Sequence, residues 1–177
     1  MAGNFGNVFV VSLYLQQHLG LPPAQAGLAF LPSALFAIAG NLASGPVTNR
    51  FGARVPVVAG LLSMTVGLLA LVITAPLAQP VITTLCLIPI GAGGSLAMPS
   101  VTSVVLEGVP AERSGTASAV FNTFRQVGGA VAIAVFGSMI TKPDQFVTGM
   151  QTSLTIAAAC LLASALISLG IQPRHHR

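Results

Sequence analysis

The sequence predicts an all-α membrane protein with six transmembrane helices. Three observations carry that prediction. Only 6% of the 177 residues are charged while 54% are hydrophobic, against about 25% charged in an ordinary soluble domain. The apolar residues gather into runs of helical-span length rather than alternating with polar ones. The polar residues concentrate in short Pro- and Gly-containing breaks between those runs. A chain that cannot cover its surface with polar groups needs lipid as solvent, and lipid admits only helices or closed barrels.

Six segments follow when the chain is cut at its breaks. Segment a covers about 5–19, b 24–47, c 55–75, d 80–106, e 115–140 and f 149–171. Segment c is the clearest, a run without a charge that reaches about 31 Å as a helix, the thickness of the hydrocarbon core. Segments b to f are each long enough to span. Segment a is short and ends in the polar stretch YLQQHLG, so it reads either as an interfacial helix or as a spanning helix that begins upstream of the chain. Pro22-Pro23 separates a from b, EGVPAERSG separates d from e, and TKPDQFVT separates e from f. Ser114 stands where an N-cap for e belongs, with Glu112 near the positive end of that helix dipole.

The formal charge of +4 does not indicate nucleic acid, because the basic residues are scattered singly without a patch or interleaved aromatics. Topology accounts for it instead. If the b–c connection is cytoplasmic, that side holds Arg50, Arg54, Arg113, Arg174 and Arg177, and the other holds only Lys142. Such a bias places the C-terminus in the cytoplasm. Cys86 and Cys160 fall within apolar runs and read as packing residues. The N-terminus lacks the basic region of a cleavable signal. No Ser/His/Asp set, metal-ligand spacing or phosphate loop points to an enzyme, and the adjacent His175 and His176 make a poor metal site.

Three stretches together resemble the major facilitator superfamily, specifically its fourteen-helix drug:proton antiporter branch of multidrug efflux permeases. They are YLQQHLGLPPAQAGLAFLP (14–32), GPVTNRFGARV (45–55) and GVPAERSGTASAVFNTFRQVGGAVAIAVFG (108–137), in family order and spacing. The resemblance implies that this chain is the last six of fourteen helices, one half of a major-facilitator-type bundle, with its partner N-terminal half outside the sequence. It also implies that GPVTNRFGARV is the second-half copy of the family's cytoplasmic switch loop, in outline G-x-L-A-D-R-x-G-R-R. Gly45, Arg50, Gly52 and Arg54 match that pattern. Asn49 fills the usually acidic slot and Ala53 replaces a basic residue, which weakens a charge relay.

Physical roles can be set beside that resemblance. Gly52 suits the positive φ that ends a helix, and Gly45 leaves room for close helix approach. Arg50, near the end of b, sits where a cation is favoured. Both arginines read as snorkelling topology signals or as a gating contact. Arg125 is the one charge at membrane depth. With Ser118, Asn122 and Gly129 it shares one face of e, and Gln126 lies beside it. This set reads as a lining of the transport path or as an interhelical hydrogen-bond cluster. In d, Gly91, Gly94 and Ser95 fit close packing, while Pro89 and Pro99 predict kinks. Gly128 and Gly129 in e read the same way. Tyr14, Gln17 and His18 form a polar end to a, as a cap or a substrate or proton contact.

All three acids, Glu107, Glu112 and Asp144, fall in the breaks. Proton coupling generally uses a titratable group within the membrane, so the resemblance assigns that group to the other half. The expected function is therefore the C-terminal part of a secondary transporter exporting drugs or other amphipathic small molecules by alternating access. The proton gradient would supply the energy, with no cofactor and no metal. The expected partners are the bilayer, the N-terminal half and a small-molecule substrate. The alternatives are a non-transporting membrane module packed on a partner and a small self-associating transporter.

Overall fold

A computed structural model describes residues 2–140 and 145–170. The helices are α1 (Ala2–Leu13), α2 (Pro23–Leu28), α3 (Leu31–Phe51), α4 (Arg54–Thr74), α5 (Pro80–Glu107), α6 (Ser114–Met139) and α7 (Phe146–Leu169). No strand occurs among the described residues. Five helical stretches are long and apolar enough to cross a membrane, those of α2–α3, α4, α5, α6 and α7. They correspond to segments b to f. α1 is the short one, and it continues as a widened π turn over Tyr14–His18, in which the Leu19 amide donates to the Tyr14 carbonyl at 3.0 Å.

Segment b departs from its expected outline at both ends. It is broken at Ala29–Phe30, because Pro32 in the first turn of α3 has no N–H to offer the preceding carbonyl. At the other end α3 runs past Val47 to Phe51, so most of GPVTNRFGARV is helix and only Gly52 and Ala53 separate α3 from α4. Gly52 takes φ +79°, a conformation that favours glycine. Ser114 does not cap α6: it is the first helical residue, and its hydroxyl donates to the Ala111 carbonyl at 2.7 Å. α7 begins at Phe146, three residues before the expected Gly149. α5 is one continuous helix that contains both Pro89 and Pro99.

Close packing orders the helices. α5 lies parallel to α3 and antiparallel to α4, between the two. On the α3 side, a Cβ added to Gly40 would meet the Ala92 carbonyl at 2.6 Å, and one at Gly91 would meet the Ser33 carbonyl at 2.5 Å. On the α4 side, Gly60 and Gly93 press on each other's carbonyls, and a Cβ at Gly67 would meet the Cys86 carbonyl at 2.9 Å. With no hydrophobic force between helices in lipid, such small-residue contacts are what let backbones approach. α4 is next tied to α7, where the Gln151 amide donates to the Val72 carbonyl at 2.8 Å.

α1 joins this body through Tyr14, fully buried, whose hydroxyl donates to the Ala75 carbonyl at 2.6 Å. α6 runs parallel to α1, with Phe136 and Ala132 against Gly6 and with Phe9 against Gly137. The apolar core is biased toward one end of the bundle: Val10 and Val11 of α1, Tyr14 and Leu15 of the π turn, Leu68 and Leu71 of α4, Leu87 and Ile90 of α5, Phe136 of α6, Met150 and Leu154 of α7. That end carries the α1–α2 and α6–α7 connections. The exposed large side chains elsewhere, such as Leu42, Ile73, Phe124 and Ile167, are those a lipid-facing surface requires.

Candidate functional site: the polar face of α6 and the α3–α4 turn

α6 is built in two unlike halves. Its second half is covered, with Gly129, Ala132 and Phe136 buried in successive turns. In its first half, Ser114 to Gly128, no residue is buried. The least exposed stripe there comprises Ser118, Phe121, Asn122, Arg125 and Gly128, all half-buried, and Gln126 beside it is exposed. The structure thus brings Ser118, Asn122, Arg125 and Gly129 onto one stripe, as their spacing requires, and leaves Gln126 off it. Arg125 lies about 17 Å into a helix of about 39 Å, close to mid-depth. Its Nε is closed to solvent and has no hydrogen-bond partner, and the side chain forms no ion pair among the described residues.

A second orphan sits on the neighbouring helix. Asn7 of α1 is 1% exposed, and its Oδ1 accepts no hydrogen bond. Asn7 was not singled out in the sequence, where a lone Asn in a short segment carries no pattern. Among the described residues both unsatisfied buried atoms therefore belong to the α1–α6 pair. An added Cβ at Gly128 would meet nothing within 4 Å, and Gly129 is buried.

At the α3–α4 turn, Asn49 and Arg50 are exposed on the last turn of α3. The Arg50 guanidinium lies 5.3 Å from the centroid of the Phe51 ring, a cation–π contact. Arg54 begins α4, at the end of the helix dipole that does not favour a cation. None of these three side chains has an ion-pair partner among the described residues. Gly45 makes no close approach within this chain: it is exposed, and a Cβ there would meet nothing within 4 Å. The close-approach glycine of α3 is Gly40. In α5, Gly91 is a close contact, while an added Cβ at Gly94 would meet only Met64 Sδ at 3.6 Å, ordinary packing.

Just inside the turn lies a hydroxyl chain the sequence reading missed. Ser44 donates to the Leu96 carbonyl at 2.9 Å, Ser44 and Ser100 hydroxyls lie 3.2 Å apart, and Thr48 and Ser100 hydroxyls 2.8 Å apart. Each hydroxyl has one hydrogen, so the direction is fixed: Thr48 donates to Ser100, Ser100 to Ser44, and Ser44 to the backbone. Ser44 and Thr48 at i and i+4 on α3 were the available signal.

At the opposite end, His18 stacks between Tyr14 (ring centroids 5.4 Å) and Phe146 (6.1 Å). Gln17 is exposed beside it. Cys86 is buried and Cys160 exposed, both as free thiols. Lys142, Asp144, Arg174, His175, His176 and Arg177 lie outside the described residues.

Helices of spanning length, small-residue packing and a charged side chain at mid-depth define a multi-pass helical membrane protein. The chain belongs to the Major Facilitator Superfamily, whose profile matches residues 1–133. Multidrug resistance protein Stp of Mycobacterium tuberculosis is 35% identical over 140 residues, 77% of this chain and 25% of Stp. Tetracenomycin C resistance and export protein of Streptomyces glaucescens is 33% identical over 143 residues, 80% of this chain and 27% of the relative. Multidrug efflux pump LfrA of Mycolicibacterium smegmatis is 33% identical over 141 residues, 78% of this chain and 28% of the pump. The chain thus spans about a quarter of the length of these relatives.

Proposed function

We propose that these helices form the C-terminal part of a secondary transporter that exports drugs or other amphipathic small molecules in exchange for protons. The observation that carries this reading is the stripe Ser118, Asn122 and Arg125, polar and at membrane depth, in a chain whose relatives are named for drug resistance and export. A charge at the bilayer centre costs at least about 2.5–3.5 kcal/mol unless it faces protein or a water-filled cavity. A transport path lined by α6 supplies such a cavity, and Gln126 stands at its edge. The mechanism is alternating access, with this bundle rocking against a companion N-terminal half about a central site.

In this reading the α3–α4 turn, with Gly45, Asn49, Arg50, Gly52 and Arg54, lies on the cytoplasmic side as a state-dependent contact, and the C-terminus lies on the same side of the inner membrane. The excess of arginines at that end supports the orientation. Pro89 and Pro99 give α5 points at which to flex. The proton gradient is the energy source, and the coupling carboxylate belongs to the companion half.

The test is efflux of a fluorescent cationic dye from cells expressing this chain alone, and from cells expressing it together with the companion helices. Energised efflux is expected only from the second, with collapse on adding an uncoupler. Efflux by the second that persists in uncoupled cells would exclude proton exchange.

A further inference from the structure

We propose that Arg125 is one partner of an ion pair within the membrane: the polar face of α6 receives a carboxylate carried on a transmembrane helix outside this chain. The inference rests on the reading above in one respect only, that further helices complete the bundle.

The argument begins with what Arg125 lacks. Its guanidinium is permanently charged and lies at mid-depth, yet its Nε is closed off without an acceptor. This chain's own acids do not meet it. Glu107 ends α5 and Glu112 lies in the turn before α6, both exposed at the end of the bundle, and Asp144 lies outside the described residues. Glu112 precedes Arg125 by thirteen residues, about 20 Å of helix. A helix carbonyl or a hydroxyl such as Ser118 can accept a hydrogen bond but does not neutralise a cation.

The geometry of the face fits a carboxylate. A guanidinium presents paired N–H donors in a plane, the arrangement that a carboxylate accepts two at a time. Asn122, nearly one turn before Arg125 on the same stripe, offers an amide donor to the acid. Ser118 adds a hydroxyl a further turn away. The first half of α6 carries no buried residue, so a helix can lie against it without displacing another. The unsatisfied Asn7 Oδ1 lies on the neighbouring α1, about 10 Å farther along the axis, as judged from Ala132 opposite Gly6.

A protein carboxylate fits better than an anionic substrate because of occupancy. The cost of an unpaired mid-depth arginine is incurred at every moment, whereas a substrate is present for only part of the cycle. A fixed acid on a helix relieves it in the resting protein. The relatives are about four times the length of the matched region, so a polypeptide of that size has many helices from which to present one.

A carbodiimide that modifies protonated carboxyls in apolar surroundings tests the pair. An acid held by Arg125 stays ionised and resists the reagent; without the cation it takes up a proton and reacts. The reagent, dicyclohexylcarbodiimide, is applied to membranes containing the complete transporter, in the parent and in Arg125→Met and Arg125→Gln. Met fills the site with an apolar chain and Gln keeps donors without charge, so whichever gives a monodisperse peak in gel filtration decides the result. Labelling is expected to rise several-fold over the parent at one acid on a helix outside this chain, located by peptide mass spectrometry. Equal labelling in parent and variant overturns the proposal, as does a rise confined to Glu107, Glu112 or Asp144. A variant that loses binding of anionic dyes alone, with labelling unchanged, assigns Arg125 to substrate and also overturns it. Dye efflux is read on the same membranes. A labelling rise in the variant, where the parent itself moves no dye, leaves the ion pair standing and removes the transporter reading.

Discussion

The body formed by α3, α4 and α5 and the pair formed by α1 and α6 treat buried polar groups differently. Among the described residues the buried polar side chains are Asn7, Ser44, Thr65, Thr83, Ser100 and Ser153. Every one outside the α1–α6 pair is hydrogen-bonded, most of them to a carbonyl of their own or a facing helix. The one left without a donor at Oδ1 is Asn7, and the other orphan atom among the described residues is Arg125 Nε. Glycine separates packed seams from open faces. Gly40, Gly60, Gly67, Gly91 and Gly93 hold backbones together in the first region and Gly6 presses on Phe136 within the pair, while Gly128 on the uncovered half of α6 and Gly45 near the end of α3 meet nothing within 4 Å. A finished interface satisfies its polar groups and uses its glycines; a face that awaits a neighbour does neither. The lesson is that the packed body and the functional face are separable in this bundle.

The sharpest way to break that comparison is to enlarge Gly93. Gly93→Val would drive a branched side chain into the Gly60 carbonyl and the Met64 backbone, atoms that cannot rotate away. The expected loss is at least about 3 kcal/mol, the upper end of the overpacking range. It should appear as aggregation, or a large fall in melting temperature, of a fluorescent-protein fusion followed by gel filtration. A variant that melts with the parent would show that α4 and α5 are not in backbone contact.

Two hydroxyl deletions probe the seams of the same body. Tyr14→Phe removes the bond to the Ala75 carbonyl and leaves that acceptor only the longer bond from the Ala78 amide at 3.3 Å, for about 1 kcal/mol. Ser100→Ala ends the relay from Thr48 to Ser44 but spares the Ser44 bond to Leu96, so its cost should be nearer about 0.6 kcal/mol, the average for interhelical bonds in a membrane. Thermal melts of purified protein in one detergent should rank Tyr14→Phe below Ser100→Ala, and both far above Gly93→Val. The reverse order of the two hydroxyl variants would mean that α3 and α5 depend on the relay more than on Gly40 and Gly91.

The spans were legible because composition and run length are set by lipid, which acts on every residue of b to f alike. The end of α3 was legible at Gly52 for a similar reason, since positive φ restricts the residue type locally. Elsewhere the signal was ambiguous. Arg50 and Asn49 look like loop residues by polarity, yet they complete the last helical turn because an interfacial helix end tolerates both. Gly45 and Gly40 are indistinguishable as letters; only the position of α5 decides which is pressed. The family resemblance directed attention to Gly45, which belongs to the motif, and away from Gly40, which belongs to the packing. The Thr48–Ser100–Ser44 relay needs two helices set in register; the i, i+4 spacing of Ser44 and Thr48 puts both on one face but does not supply Ser100. The stripe through Arg125, by contrast, depends on the helical period alone, so the sequence places it correctly without saying what lies opposite.

The smallest effects are the most discriminating between the two regions. Gly45→Ala and Gly128→Ala each add one methyl where nothing lies within 4 Å, inside helices whose φ and ψ suit alanine. In water such a change stabilises by about 0.4–1 kcal/mol through the unfolded chain. In a membrane the unfolded reference is itself largely helical, which pushes the expected gain to the low end of that range. Gly40→Ala adds the same methyl against the Ala92 carbonyl at 2.6 Å and should lower the melting temperature instead. Run as a trio, these variants hold chemistry constant and change only the neighbour. If Gly128→Ala melts with the parent yet abolishes dye efflux in the complete transporter, the face of α6 around Arg125 meets another helix there, at backbone distance. If efflux is also unchanged, that contact is at most one of side chains, and any carboxylate opposite Arg125 must reach across a wider gap.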